Sequence, residues 1–295
     1  VGVNLSGATI SATSVTGTAT ANINVTVADD ADSASDNSNT ADAAVSVIAV
    51  YGDSAVTVDG ASSITASSGA VTLGAVTMLD VDAVADGAAD AGAKGATLAV
   101  ATIGINTGIT VAGSAGITAT GGDVDLSAAL TADVNVQAIS TADGSSDSGA
   151  DMNASEQRLD DPNDDGTETD QASANGGGIE FAGAVVVSDY RPTTSAAIST
   201  SGAITTDQAL TLSAMSTDTV LAKADGSTTD SETGVGIAVA FGLVDPTVQA
   251  SITGGTYNVT GGITVAAQLD GDDTFTVEAV SGAGSASDTG FAGSL

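Results

Sequence analysis

Apolar and polar residues alternate along most of this chain, and glycine breaks the alternation at intervals. The stretches 55–73 (AVTVDGASSITASSGAVTL), 108–126 (GITVAGSAGITATGGDVDL), 194–212 (TSAAISTSGAITTDQALTL) and 248–266 (VQASITGGTYNVTGGITVA) all read this way. Period-two alternation sends successive side chains to opposite faces, so it predicts strands, and the glycines mark turns. A further strand follows in each copy, as at 132–140 and 273–281. Upstream of each stretch lies an apolar run that leads to an Asx residue. AAVSVIAVYG leads to Asp53, ATLAVATIGI to Asn106, IEFAGAVVVS to Asp189 and VGIAVAFGLV to Asp245. Segments rich in Asp, Ser, Gly and Ala at 28–42, 85–95, 142–178, 224–234 and 282–290 separate the copies and read as solvated loops.

The two ends of the chain fit the same pattern. Phe291 to Leu295 followed by Val1 to Asn4 spells FAGSL-VGVN, which resembles the internal string FAGAVVVSD at 181–189. Spaced from the start of its run like the others, Asn4 takes the place of Asp53, Asn106, Asp189 and Asp245. This predicts a tandem array. Residues 1–42 form the second part of a repeat, 43–95 a full repeat, and 96–178 a repeat with an insertion at about 142–178. Residues 179–234 and 235–288 are two more repeats, and 289–295 open one that residues 1–42 of a following unit complete.

A repeat this short, made of Ala, Val, Thr, Ser and Gly, cannot close a core alone. Stacked neighbours bury a continuous one. The expected fold is all-β, a β-solenoid or β-helix-like stack of tandem repeats with two or three coils per repeat. The alternative is a string of small β-sandwich domains, which usually need about 100 residues each and bulkier core residues. At the recurring turn the Asx side chains would cap the backbone or form a ladder.

Composition narrows the function. There are 37 acidic against 4 basic residues, a net charge of −33, and neither Cys nor His. Disulfides, Cys/His zinc sites and His-based nucleophilic catalysis are therefore excluded. A surface so acidic repels nucleic acid and anionic membranes and attracts divalent cations. No apolar run has the length of a membrane-spanning helix, so membrane insertion is not expected. The bases Lys94, Arg158, Arg191 and Lys223 are scattered between repeats and the aromatics do not cluster, which argues against an enzyme of the paired-carboxylate kind.

The strings IEFAGAVVVSD, VGIAVAFGLVD and ITATGGDVDLSA resemble the repeat regions of very large secreted bacterial surface proteins, of the filamentous haemagglutinin and leukotoxin-like filamentous adhesin type. The resemblance spans nearly the whole chain. It implies a β-solenoid, export to the cell surface and an adhesive or structural role, and it carries over no catalytic residue.

The insertion holds a metal-ligand pattern. Asp161-Pro162-Asn163-Asp164-Asp165-Gly166-Thr167-Glu168-Thr169 satisfies the opening of an EF-hand-type calcium loop. Calcium takes hard oxygens from alternate positions: side chains of Asp161, Asn163 and Asp165, the carbonyl of Thr167, and Thr169 directly or through water. Gly166 allows the turn, and Asn153 would cap a short helix over 153–159 just before it. The twelfth position is Ala172 where an EF-hand has Glu, so Asp170 or another acid would have to substitute. A weaker candidate is Asp270-Gly271-Asp272-Asp273, like one copy of the calcium-binding nonapeptide repeats of secreted proteins. The expected function is a structural unit of an extracellular fibre, stalk or filament. It would join copies of itself or adjacent repeats head-to-tail, with Ca2+ as stabiliser. The alternatives are a calcium-dependent adhesin for a host-surface or cell-surface ligand, and an acidic surface-layer protein of a saline habitat.

Overall fold

The computed structural model describes residues 1–30, 41–87, 94–141 and 179–295. The candidate helix 153–159 and all of the first calcium loop, Asp161, Asn163, Asp165, Thr167, Thr169 and Asp170 included, lie outside them.

Among the described residues there are seventeen strands and no helix. The chain is built in circuits, each a long strand, a four-residue strand and a second long strand. The first circuit is β1 (Gly2–Ser6), β2 (Thr9–Ala12) and β3 (Val15–Asp30). The second is β4 (Ala41–Asp59), β5 (Ser63–Ala66) and β6 (Val71–Asp86), and the third is β7 (Lys94–Gly113), β8 (Gly116–Ala119) and β9 (Val124–Thr141). The fourth splits its first strand into β10 (Ile179–Tyr190) and β11 (Thr193–Thr200), then continues through β12 (Ala203–Thr206) into β13 (Leu210–Val244). The fifth uses the second half of β13, then β14 (Thr247–Ile252), β15 (Thr256–Val259), β16 (Ile263–Leu269) and the first part of β17 (Thr274–Ser294), whose end opens a sixth circuit with Phe291 opposite Val235 and Ser294 opposite Ala238.

Each strand pairs in parallel with its counterpart one circuit away. The first long strands run β1-β4-β7-β10-β13, the second long strands β3-β6-β9-β13, and β13 joins both series into one twelve-stranded sheet. The short strands form a separate five-stranded sheet, β15-β12-β8-β5-β2. All described pairings are parallel, whereas β-sandwiches are built from antiparallel sheets. One circuit, not two or three coils, accounts for each repeat: Asp53 stands opposite Asn106, 53 residues on. Residues 142–178 separate β9 from β10 in sequence, and the third and fourth circuits still pair in register, with Asn106 of β7 opposite Thr193 of β11.

Two expected loops are strand instead. β13 runs through 224–234 and β17 through 282–290, with register shifts between Thr228 and Ser231 and between Ser231 and Thr233. The main-chain hydrogen bonds of a parallel neighbour override the low strand propensity of Ser, Gly and Asp there.

The inward positions follow the period of two. In β7 they are Ala99, Ala101, Ile103, Ile105, Thr107, Ile109 and Val111, all at most 1% exposed. Two apolar clusters result. One, around Ile48, Ile103, Val134 and Val186, fills the end where circuits join. The other, around Ile64, Ile117, Leu126 and Ile204, fills the end closed by the short strands. A polar layer lies between them. The Ser54 hydroxyl donates to the carbonyls of Ala19 (3.1 Å) and Val76 (3.2 Å), and the Thr107 hydroxyl donates to that of Thr77 across 2.6 Å. These bonds tie the two long faces together through the core. At the turn into the short strands, Gly60 and Gly113 take positive φ, and a Cβ on Gly113 would meet Gly60 N at 2.8 Å. Backbone this close is open only to glycine.

Candidate functional site

The Asx column is real for one pair. Asn106 donates through Nδ2 to Asp53 Oδ1 at 2.8 Å from the adjacent strand. The other Asx residues stand elsewhere. Asp189 lies opposite Thr102 and Leu243, and Asn4 opposite Thr57. The residue in register with Asn106 in the fourth circuit is Thr193, followed by Thr247 in the fifth. Asp189 is instead paired locally with Arg191, whose Nε donates to it at 2.6 Å on the surface.

The β3–β6–β9 face repeats the Asn-to-Asp rung twice. Asn24 donates to Asp80 at 3.0 Å, and Asn135 donates to Asp82 at 3.2 Å. An amide opposite a carboxylate answers its charge with a donor, where a second carboxylate would repel it. Asp133 stands opposite Asp80 without such relief. Partial loss of solvent, then the charges of Asp80 and Asp82, hold its carboxyl above the usual range. This long face is therefore acidic and hydrogen-bonded along the stack.

The outward side of the β4–β7–β10–β13 face is of opposite character. Its columns are Ala43–Ala96–Gly183–Ile237, Val45–Leu98–Val185–Val239 and Val47–Val100–Val187–Phe241. Val47 is 60% and Phe241 57% exposed. No charged residue interrupts these columns. The sequence signal was present: in AAVSVIAVYG and IEFAGAVVVS both parities are apolar, which marks a strand with two apolar faces.

The second calcium candidate is fully described. Asp270 to Asp273 form the turn between β16 and β17, with Asp273 N–H donating to the Asp270 carbonyl at 3.2 Å. The carboxylates serve the neighbouring strand. Asp270 accepts from the Thr217 hydroxyl at 3.3 Å, and Asp273 accepts from the Asp218 N–H at 2.7 Å. Asp272 makes no described bond of this kind. Among the described residues no group of three or more acids is arranged as a cage for a metal ion.

One carboxylate lies in the core and was not singled out by the sequence reading. Asp218 is 0% exposed and faces inward between Ser216 and Val220. It accepts from the Tyr190 phenol at 2.7 Å and from the Ser216 hydroxyl on both oxygens, at 3.0 and 2.9 Å. Burial raises its pKa above the carboxylate range, against the lowering effect of the two hydroxyl donors, and nearby Asp273 adds to the rise. Tyr190 is likewise raised, by burial first and then by the Asp218 charge and bond. Parity could have found Asp218, since it shares the inward positions with Leu210, Leu212 and Ala214. Fully buried and hydrogen-bonded to both hydroxyls, the carboxyl serves as a polar anchor of the core.

Neither a family model, nor a curated protein, nor a solved structure matches the chain.

Proposed function

We propose that this chain is a β-solenoid segment of an extracellular fibre or stalk, extended axially by further circuits. The observation that carries the reading is the unfinished last circuit. Leu210 is 0% exposed, while its register partner Ile263, in the equivalent inward position one circuit on, is 48% exposed. Phe275 and Val277 are exposed in the same way, whereas their partners Val220 and Ala222 are buried. An apolar end beside unpaired strand edges is a template for another parallel layer. The supplier is a neighbouring repeat or another copy. A cell-surface location and calcium at the 161–170 loop belong to the same reading, on the residue pattern alone, and no catalytic role belongs to it.

The register makes the reading testable. Thr16, Thr72, Asp125, Thr211 and Thr264 form one column, so Thr264 would face Thr16 of the following unit. Within one chain these two ends are four strand spacings apart, roughly 19 Å, beyond disulfide reach. The chain has no native Cys. The Thr16→Cys, Thr264→Cys double variant should therefore yield a ladder of covalent multimers on oxidation. Monomers alone, at concentrations where electron microscopy also shows no fibres, would remove axial growth by separate copies and leave a covalent neighbouring repeat as the supplier.

A further inference from the structure

We propose that one unit is joined to the next by an added strand of about eight residues, lying parallel in a slot between Leu295 of one unit and Val1 of the following one. This rests on the axial reading above and names the element that completes it.

The slot follows from register. Ser294 stands opposite Ala238 and, through Ala184 and Thr97, shares a column with Ala44. Leu295, one step on, brackets Val239: its N–H donates to the Ala238 carbonyl at 3.0 Å, and its carbonyl accepts from the Ala240 N–H at 2.9 Å. Leu295 therefore belongs to the column of Val45. Gly2 stands opposite Ala55, so Val1 belongs to the column of Ser54. In a stack that sets Thr16 of the next unit over Thr264, the positions in register with residues 46–53 are unfilled in the junction circuit. Leu295 and Val1 are there about 30 Å apart at roughly 3.3 Å per residue, against about 3.8 Å across a single peptide bond.

Both rims of the slot are strand edges. On one rim, β13 pairs with β17 only as far as Ala238. Gly242 and Val244 follow in the orientation of Ala240, whose N–H already faces the next layer. On the other rim, β4 pairs with β1 only from Ala55 onward. The Ala55 N–H donates across that edge to the Val1 carbonyl at 3.0 Å, and Val47, Ala49 and Tyr51 share its orientation. At Val45, oriented alike, the Asp29 carboxylate accepts from the N–H at 2.9 Å. A charged side chain on an open edge amide guards against chance pairing, and in the stack the Ser294 carbonyl would replace it.

The rims also set the pattern of the occupant. Its inward neighbours are Ala240 and Val244 on one side and Ile48 and Val50 on the other, all in or against the core cluster at this end. Its outward neighbours are Phe241 and Leu243 against Val47 and Tyr51, all exposed. The fitting segment is apolar on both faces and free of proline, since its peptide groups must bond both rims. Residues 46–53, SVIAVYGD, have this pattern.

Three fusions of two full copies test this: Leu295 joined to Val1 directly, through SVIAVYGD, or through a Gly/Ser segment of the same length. Each carries Thr264→Cys in the first copy and Thr16→Cys in the second, so a disulfide formed on oxidation reports stacking. Hydrogen exchange at Val47, Ala49 and Tyr51 of the second copy reads the slot. In the SVIAVYGD fusion the disulfide is expected to form, and these amides should exchange at least about tenfold more slowly than in the single chain. The direct fusion should show no such slowing, and the Gly/Ser fusion clearly less. Equal protection in either of those two overturns the slot. So does a disulfide in the SVIAVYGD fusion without slowed amides, and in both cases axial stacking stands. Absence of the disulfide from all three fusions removes axial stacking and the slot with it.

Discussion

Tyr190 and Asp218 meet in the core, phenol to carboxylate at 2.7 Å, from strands 28 residues apart. The bond joins the first and second long strands of the fourth circuit by side chains alone. Removing the donor leaves a buried carboxylate short of a partner. Tyr190→Phe is expected to destabilise the chain by about 1.5–3 kcal/mol at neutral pH, the worth of a hydrogen bond to a charged group. Chemical denaturation of the two proteins measures it.

The same pair sets a pH dependence. The folded pKa of Asp218 is raised, with burial as the leading cause. Such a group contributes its stability in full below the unfolded carboxylate value and loses it as pH rises through the folded value. Acidification from neutral pH should therefore stabilise the fold through Asp218. Relief of general repulsion acts in the same direction, so the comparison needs a variant. Asp218→Asn keeps the shape and an acceptor for Tyr190 without the charge. It should be at least about 1 kcal/mol more stable than wild type at pH 7, and the gap should close near pH 4. A gap that is constant with pH would mean that Asp218 is not the titrating group.

Rungs of the outward ladder answer to charge alone. Asn106→Asp would set a carboxylate directly opposite Asp53, where an amide now donates at 2.8 Å. The expected cost is about 0.5–1 kcal/mol in low salt, as for like charges across a strand pair. About 1 M salt should remove most of it, because screening there acts within roughly 3 Å. Asn106→Thr, which copies the residue found at this position in the next circuit, should cost less and show no salt dependence.

That ladder also shows what the sequence could and could not reveal. Alternation made the inward and outward sets of residues 43–58 and 96–111 readable, and with them the strands. It did not fix register. The run-to-Asx spacing equates Asn4 and Asp189 with Asp53 and Asn106, yet Asn4 pairs with Thr57, and Thr193 pairs with Asn106. Both misplacements are slips of four residues. An even slip returns every side chain to its own face, so a period-two pattern cannot detect it. Asp218 has no compositional signal among 37 acids, and only its parity with Leu210, Leu212 and Ala214 sets it apart. The outward apolar face was legible as doubly apolar runs, but its continuity depends on columns that only the pairing reveals.

The turn glycines separate strain from contact. Gly7 and Gly113 both hold positive φ, at 62° and 69°, at equivalent turns. A Cβ on Gly7 meets nothing within 4 Å, while one on Gly113 meets Gly60 N at 2.8 Å and Gly60 O at 3.0 Å. Gly7→Ala should lose only the backbone preference, about 1 kcal/mol. Gly113→Ala must also push two circuits apart and should cost about 2–3 kcal/mol or more. Equal losses in thermal denaturation would mean that the stack yields freely at this turn.

Position along the stack should decide the cost of removing apolar volume. Ile117, on β8 in the middle circuit, is 0% exposed and packs with Ile64 and Ile204 of the circuits on either side. Ile117→Ala leaves a cavity bounded by both neighbours, with an expected loss of about 2–5 kcal/mol. Phe275, on inward parity in the last circuit, is 44% exposed. Its truncation in the isolated chain forfeits contacts on one side only and should cost clearly less, about 1–2 kcal/mol. If axial partners cover that end, the cost of Phe275→Ala should rise with protein concentration while that of Ile117→Ala stays constant. Hydrogen exchange at low and high concentration reads both, since protection in β16 and β17 must then climb towards that of β9. A concentration-independent difference would mean that the last circuit stays uncovered under those conditions.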